Sequence, residues 1–559
     1  MFFILFLLPF TLLVYNYIIY PLFLNPLTAL HLPGPFHYKL SKLFILNKFR
    51  KEQGNLAIDD LHKKYGPIVQ IAPNHVSFNN IEILKKIYLH GNYPKEYSNS
   101  SSSFSPDKTG FYSNFGNFGE RNLFSTGNSK KHITLKKKLS KLYSKTFVIS
   151  KQQDIQEKIN NVVEVILENR GEPINVYSLF SSMAMDVVSG FEFGYEGDNS
   201  TDFIKKSTHT SVGVNGRLES QYNVFQSFRD SSSMWFYVTC LPSLYEIMCK
   251  ISGLDKSIQL GRDWIWEHLQ KCIDNKNKNE TNMINSLPES YTLPQIGSEI
   301  ADHILAGHET TGITLSYICW ELSRPSNIYL QQELIKELKE NETLFTIENK
   351  INYAEIDKLP LLHAIIQEAG RLHAAIPGIE PRFVPSDKQL IINDGAIIIP
   401  SGTMVSCQPY SIHRNPKIFD PSGEYHVNSF YPERWLQFEN ETEAEYQKRI
   451  RNMERNMMNF GQGNRMCLGM HLALIEMKAC LASIYGTSNN VHSKISPEWC
   501  PHIANDSKVA KMGYSDMPIN SKASDNYDIY HKLSDVDKMR MADSYTTRPL
   551  FDECWLTFK

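Results

Sequence analysis

Hydrophobic residues are most densely packed at the very start of the chain. Phe2 to Leu24 is almost wholly apolar, Met1 to Leu30 carries no charge, and the first lysine is Lys39. At ~1.5 Å per residue, such a run is long enough as a helix to cross a hydrocarbon core of roughly 30 Å. Tyr15, Tyr17 and Tyr20 gather near its far end, where aromatic rings favour the interface. A cleaved signal peptide would need a positive leading region, a shorter apolar core and a small-residue cleavage site, and none is evident here. Residues 1–24 are therefore expected to form a single-pass transmembrane helix. Basic residues follow it (Lys39, Lys42, Lys48, Arg50, Lys51) and none precedes it, which leaves the bulk of the chain in the cytosol. In His31-Leu-Pro-Gly-Pro35 two prolines fix φ and a glycine permits a turn, so residues 25–38 read as a stiff proline-rich hinge.

Beyond the hinge, Asp59–Tyr65 looks helical, and Pro67–Pro73 with Val76–Phe78 reads as a short strand pair bounded by proline and asparagine. Apolar residues recur near helical spacing from Leu135 to about Asn169 and through Ile174–Phe193. Ile296–Leu322 is a long, mostly uncharged helix pattern, so apolar that it should be buried on most sides. Two further helices are expected over Leu330–Glu340 and Leu361–His373, and short strands at Gln389–Ile392 and Ala396–Ile399. Tyr97–Pro106 is a serine-rich loop. Residues 199–290 mix aromatics with polar residues and suit either helical core or a lid over a substrate. The tail from Ser488 to Lys559 is polar, and reads as a surface insertion before a terminal strand at Cys554–Phe558. No repeat of 20–50 residues occurs, which argues against a solenoid or propeller. The fold class is mainly α with a small β region, and 39–559 forms one large domain.

Composition narrows the function. Of 559 residues, 42% are hydrophobic and 21% charged, enough apolar matter for a sizeable core. A net charge of −2 leaves no basic footprint, so no nucleic-acid partner is expected. Nine cysteines without a CxxC pair make neither a disulfide framework nor a zinc scaffold. In the cytosol they stay thiols, and sequons such as Asn99-Ser-Ser and Asn341-Glu-Thr are chance matches.

One cysteine stands apart. In Phe460-Gly-Gln-Gly-Asn-Arg-Met-Cys-Leu-Gly469, three glycines permit a tight loop whose amides can point at the sulfur of Cys467. Arg465 can pair with an anionic group beside it. A helix pattern starts just behind Gly469, and its N-terminal dipole would favour a thiolate. A lone thiolate so presented suits a haem iron. The stretch Phe-x-x-Gly-x-Arg-x-Cys-x-Gly resembles the haem-binding signature of the cytochrome P450 family, with every fixed position matched by Phe460, Gly463, Arg465, Cys467 and Gly469; the resemblance implies that Phe460, Gly461 and Arg465 help to bind the cofactor. Ala306-Gly-His-Glu-Thr-Thr311, in the middle of the long helix, resembles that family's oxygen-activation motif. There Glu309 and Thr310 supply an acid and a hydroxyl for proton relay, and small Ala306 and Gly307 would let a flat cofactor approach. A metalloprotease reading of His308-Glu309 fails, because Gly312 stands where the second histidine belongs.

Glu368 and Arg371 are three apart on a helix and able to pair. The resemblance makes them a structural triad with Arg434 of Pro432-Glu-Arg-Trp435, locking the cysteine loop. Asp186 falls in a segment similar to another common helix of the family. Where the family carries Trp-x-x-x-Arg to clamp a haem propionate, this chain has His132-Ile-Thr-Leu-Lys136, and lysine lacks the arginine fork. Arg382, in Glu380-Pro-Arg-Phe383, matches a second propionate-binding position.

The resemblance covers essentially the whole chain and implies the cytochrome P450 fold, with 39–559 as a haem-thiolate catalytic domain. The cofactor implied is haem b, with Cys467 as the axial ligand to iron. The reaction implied is insertion of one oxygen atom from O2 into a small, mostly apolar organic substrate, in specialised metabolism or detoxification of a fungal microsomal type. With no GxGxxG fingerprint and no space for a fused flavoprotein, electrons should come from a separate NADPH–cytochrome P450 reductase, with cytochrome b5 as a further donor. The basic run Lys448, Arg449, Arg451 and Arg455 is either its docking site or a solvated loop. The location implied is the endoplasmic reticulum membrane, with the catalytic domain facing the cytosol. Two alternatives stay open: an isomerase or dehydratase of the same fold that does not use O2, and a haem-binding sensor with His308 as a second ligand. The segments 97–126, 199–290 and Ile376–Glu380 are expected to line the substrate pocket.

Overall fold

The computed structural model describes residues 10–90, 112, 115–194, 204, 210–212, 218–220, 235–252, 256–274, 282–341, 343–345, 351–385, 387, 389–392, 395–486, 490–504, 509–512 and 530–559. The elements that position the site are, in order, α1 (Gly54–Tyr65), β1 (Ile68–Ala72), β2 (His75–Phe78), α2 (Ser129–Leu139), α3 (Gln152–Glu168), β3 (Pro173–Asn175), α4 (Val176–Phe193) and α5 (Leu293–Ser323). Then come α6 (Ile328–Glu340), α7 (Pro360–Leu372), β4 (Arg382–Phe383), β5 (Leu390–Ile392), β6 (Ile397–Ile399), β7 (Met404–Ser406), α8 (Met470–Tyr485), β8 (Ser493–Ile495) and β9 (Trp555–Phe558). Helices dominate, as the periodicity predicts. The strands form a four-stranded sheet in the order β1-β2-β7-β4, a three-stranded sheet β8-β9-β3 and a hairpin β5-β6.

The long helix α5 is the axis of the main core. A capping box starts it: the Thr292 side chain and Gln295 satisfy one another's backbone N–H groups, and Pro294 sits in the first turn, where a missing N–H is harmless. Its apolar residues, from Ile300 to Leu322, pack with α4, α7 and α8 in one hydrophobic cluster. Two glycines set how closely α4 approaches. A Cβ on Gly307 would lie 2.6 Å from Val188 Cγ2, and one on Gly312 would lie 2.6 Å from Ser181 Cα. Gly307 therefore serves helix packing on the α4 side, not the approach of a cofactor that its sequence position suggests.

Several boundaries differ from the sequence reading. The helical stretch expected from Leu135 to Asn169 is broken after α2, and Ser144 recaps a short helix, Lys145–Ser150, before α3. The helix expected from Ile174 begins instead at Val176, because Ile174 pairs with Leu556 in β9 and Asn175 caps α4 by accepting from Tyr177 N. The serine-rich stretch 97–106 and the aromatics Tyr222, Phe225 and Phe228 lie outside the described residues.

The expected transmembrane helix is described only in part. Residues 1–9 lie outside the described residues, and the described part is helical from Phe10 to Leu24, with π turns over Tyr15–Leu24 around Pro21. Among the described residues no helix is long and apolar enough to cross a membrane. The described stretch Phe10–Leu24 alone, at ~1.5 Å per residue, falls short of a roughly 30 Å core. Its apolar side chains nevertheless face outward, Phe10, Leu13 and Phe23 among them. The following proline segment is seated on the sheet: Gln70 N donates to Pro33 O at 2.8 Å, and Leu27 and Leu32 are buried. Gly34 has φ +144°, and a Cβ there would meet Gln70 O at 2.5 Å, so only glycine lets the chain lie this close to β1.

The described part of the tail packs into the core where a surface insertion was expected. Asp535 is fully buried, accepting from Arg324 Nε at 3.0 Å and Trp320 Nε1 at 3.2 Å at the end of α5. Tyr317 donates to Met539 O at 3.2 Å. The described tail residues thus close the core over the C-terminal half of α5.

Because the Gly312 contact is with backbone, it has little room to relax. Gly312→Ala is expected to destabilise the protein by about 1–3 kcal/mol, the usual scale of overpacking. Thermal unfolding checks this, and an unchanged midpoint would mean that α4 can simply move away.

Candidate active site

The site is anchored by one carboxylate on α7. Glu368 is fully buried and accepts five hydrogen bonds: Arg371 Nε (2.9 Å) and Nη2 (2.7 Å), Arg434 Nε (3.0 Å), Trp435 Nε1 (3.0 Å) and Tyr431 N (2.9 Å). The three residues predicted as a triad are thus together. Burial alone would push the Glu368 carboxyl up, but Arg371 and Arg434 outweigh it and hold it at about 2. Each arginine spends its remaining donors on carbonyls. Arg371 reaches His413 O, Val427 O and Ser429 O, and Arg434 reaches Phe419 O.

His413 carries this network to the cysteine loop. Met458 N donates to His413 Nε2 at 2.8 Å, so Nδ1 bears the proton and donates to Arg371 O at 3.1 Å. Burial, with Arg371 and Arg414 nearby, drops its pKa to about 3, which keeps the ring neutral. The loop follows directly. Gly461 and Gly463 have φ near +65°, and a Cβ on Gly463 would lie 2.0 Å from Tyr88 O. Phe460 O accepts from Cys467 N at 2.7 Å, closing the turn. Cys467 is exposed, yet burial raises its thiol, so it lies deep but reachable. The N–H groups of Gly469 and Met470, at the start of α8, and the Lys136 ammonium oppose that rise.

Around the loop, basic side chains gather. Arg382, Arg465 and His132 line one small cavity with Tyr88 and Ser129. Arg465 donates to Thr126 O and Gly127 O at 2.6 and 2.8 Å, which ties the loop to the segment before α2. Lys136, one turn beyond His132, donates to Asn464 O and Met466 O. It braces the loop from outside and is not among the residues lining that cavity. Arg382 donates to Tyr112 Oη at 3.2 Å and lies over the Tyr88 ring, 5.0 Å from its centre.

On α5, Ala306 is exposed in the middle of an otherwise mostly buried helix, with Thr310 half-buried one turn on. Thr310 Oγ1 donates to Ala306 O at 2.8 Å. His308 points the other way: it is buried, with Nδ1 2.9 Å from Ile304 O, so a second-ligand role for it has no geometric support. Glu309 is buried, and its Oε2 accepts from Thr546 Oγ1 at 2.8 Å. Sequence reasoning missed Thr546, which lies 237 positions away in a tail without a recognisable motif. Its neighbour Tyr545 packs on the Phe115 ring at 4.8 Å.

The chain belongs to the cytochrome P450 family, whose model matches residues 33–485. Among similar proteins are the cytochrome P450 monooxygenase hkm5 of Aspergillus hancockii, 25% identical over 84% of this chain and 86% of that one, and the cytochrome P450 monooxygenase hepC of Aspergillus oryzae, 26% identical over 84% and 88%. Pisatin demethylase of Fusarium vanettenii is 26% identical over 85% of this chain and 88% of its own. The class of enzyme is therefore an oxidoreductase, a monooxygenase, and the family implies a haem-thiolate cofactor, a redox partner and a small-molecule substrate.

The Glu368 network makes an acid-range prediction. A carboxyl held at about 2 contributes stability that is complete above the ordinary carboxylate pKa of about 4.3 and fades as pH falls towards 2. Glu368→Gln should lose about 3–5 kcal/mol at neutral pH, because it leaves two buried arginines without their counter-charge. It should also flatten the fall in stability between about pH 4.3 and 2. Denaturant unfolding as a function of pH checks both, and an unchanged slope would contradict this role for Glu368.

Proposed function

We propose that this protein is a membrane-attached monooxygenase of specialised metabolism that holds haem b with Cys467 as its thiolate ligand. The observation that carries the reading is Cys467 itself, deep yet reachable, with two amide N–H groups and the Lys136 ammonium favouring its anion. The donor set fits the group: Arg382, Arg465 and His132 line one cavity and suit a pair of propionates. When bound, the haem supplies O2 activation and insertion of one oxygen atom into the substrate, the other leaving as water.

The chain's own residues supply position and protons. Glu368, Arg371 and Arg434 lock the loop through His413, so the thiolate has one orientation. Thr310 stands on the same face of α5 as exposed Ala306 and offers a hydroxyl to a ligand on that side. Glu309, next along the helix, holds its proton-accepting oxygen on Thr546 Oγ1. Release of that bond would let the carboxylate swing, take up a proton from water and pass it towards the Thr310 hydroxyl. A same-fold enzyme that does not use O2 has no need of this pair.

Electrons would come from an NADPH–cytochrome P450 reductase on the same membrane, with cytochrome b5 as a second donor. Of the basic run suited to docking, Arg449 is already paired with Glu441 at 2.6 Å, which leaves Lys448, Arg451 and Arg455 for a partner. The outward apolar side chains of Phe10–Leu24, together with residues 1–9, support a single-pass anchor in the endoplasmic reticulum. Relatives named cytochrome P450 monooxygenase, from Aspergillus species, and one named pisatin demethylase support a small organic substrate.

The reading is tested by how reducing equivalents divide. Thr310→Ala, reconstituted with reductase, should keep consuming NADPH while at least ~10-fold more of it ends as hydrogen peroxide, in line with the 10²–10⁴-fold scale of general acid–base help. Thr546→Val should shift the same partition in the same direction by less, and Thr546→Ser should restore it. Unchanged coupling in Thr310→Ala would remove the relay from the account.

A further inference from the structure

A separate cavity of about 350 Å³ lies between the N-terminal helices, the four-stranded sheet and the tail. Its walls are largely apolar, with Ile45, Phe49, Ile71, Ile376, Ile379 and Met404 among them. That size falls within the range of small-molecule sites.

One end is built differently. Asp543 and Asn55 line it, and each is only 1% exposed. Asn55 N donates to Asp543 Oδ2 at 2.7 Å, and Asn55 Nδ2 donates to Oδ1 at 2.6 Å. Both donor nitrogens of Asn55 are engaged with Asp543, and acceptor capacity is left over. Asn55 Oδ1 is buried with no hydrogen-bond partner among the described residues, and a carboxylate has room for about four donors. Gly378, another wall residue, leaves space beside that oxygen: a Cβ there would sit 3.4 Å from Asn55 Oδ1. A buried acceptor left unmatched is costly, so this end favours a donor.

The surrounding charges agree. Burial, helped by the Glu52 carboxylate and opposed by the two hydrogen bonds from Asn55, pushes the Asp543 carboxyl up to about 7. His75 is another wall residue, held neutral by burial with a pKa near 3, its Nε2 2.7 Å from Ser406 Oγ. Burial keeps the Tyr545 phenol protonated, and Lys42 lines the exposed side, where water solvates its ammonium. The inner end thus collects acceptors and negative charge beneath an apolar vault.

We infer that this cavity is a binding site for a mostly apolar molecule bearing a protonated amine, the ammonium donating to the Asp543 carboxylate and to Asn55 Oδ1. It names the chemical class of small molecule that the monooxygenase reading leaves open, and it rests on that reading only for the ligand's being a substrate. The position suits this, because Asp543 lies three residues before Thr546, whose hydroxyl holds Glu309.

The test is calorimetric titration of the full chain at neutral pH, reduced and ligated with carbon monoxide so that an amine cannot bind iron. The probes are 4-phenylbutylamine, 4-phenylbutanol and 4-phenylbutyrate. The amine should bind at least ~10-fold more tightly than the alcohol, and the acid should bind weakest. Asp543→Asn should weaken the amine by roughly 10- to 100-fold, the scale of a hydrogen bond to a charged group, and the alcohol by less than threefold. Should Asp543→Asn fail to fold, Gly378→Ala serves instead: its methyl group makes an ordinary contact with Asn55 Oδ1 and should weaken the amine several-fold more than the alcohol. Equal affinity for amine and alcohol, or amine binding unmoved by both variants, would overturn the inference. A sample without the thiolate-type carbon monoxide band would count against the haem reading alone, since the same titration of that sample still decides the amine site.

Discussion

The carboxylate of Glu368 is the constraint on which the site depends. A buried anion is tolerated only when donors surround it, and here two arginines, an indole and a backbone amide do so. Because Arg371 and Arg434 then fix the carbonyls of His413, Phe419, Val427 and Ser429, the segment from His413 to Trp435 has one arrangement against α7. His413, kept neutral between Arg371 O and Met458 N, passes that rigidity to the loop holding Cys467. A single ionic knot therefore acts as specification more than as net stabilisation, since its Coulombic gain must first offset desolvation of three charges.

From that loop outward, the site is built by backbone as much as by side chains. Lys136 and Arg465 put their charge on carbonyls of the loop and of the segment before α2. The lysine that stands in place of an arginine fork thus braces the loop, while Arg382, Arg465 and His132 gather around one small cavity. On the α5 side, the helix turns its small Ala306 and the Thr310 hydroxyl to the open face and buries Glu309 and His308.

What was legible in the sequence follows from which signals are local. The α5 helix shows in its apolar length, and the cysteine loop in its glycine spacing, because positive φ at Gly461 and Gly463 is a requirement of the chain itself. Glu368 and Arg371 are readable as a pair because one helical turn joins them. Gly307 was misread, since only the α4 neighbour Val188 explains why no side chain fits there. Thr546 and Asp535 were not legible at all: each acts on α5 from a tail whose polar composition resembles a surface segment. The first helix is legible in its apolar run, of which the described part, Phe10–Leu24 with π turns around Pro21, is shorter than a membrane span.

The central claim is that Cys467 is the haem ligand, and one spectrum addresses it directly. The reduced protein should give a red-shifted, thiolate-type difference band with carbon monoxide, and Cys467→Ala should lose that band. A band that persists in Cys467→Ala, or one that never forms in the native protein despite bound haem, would contradict the account.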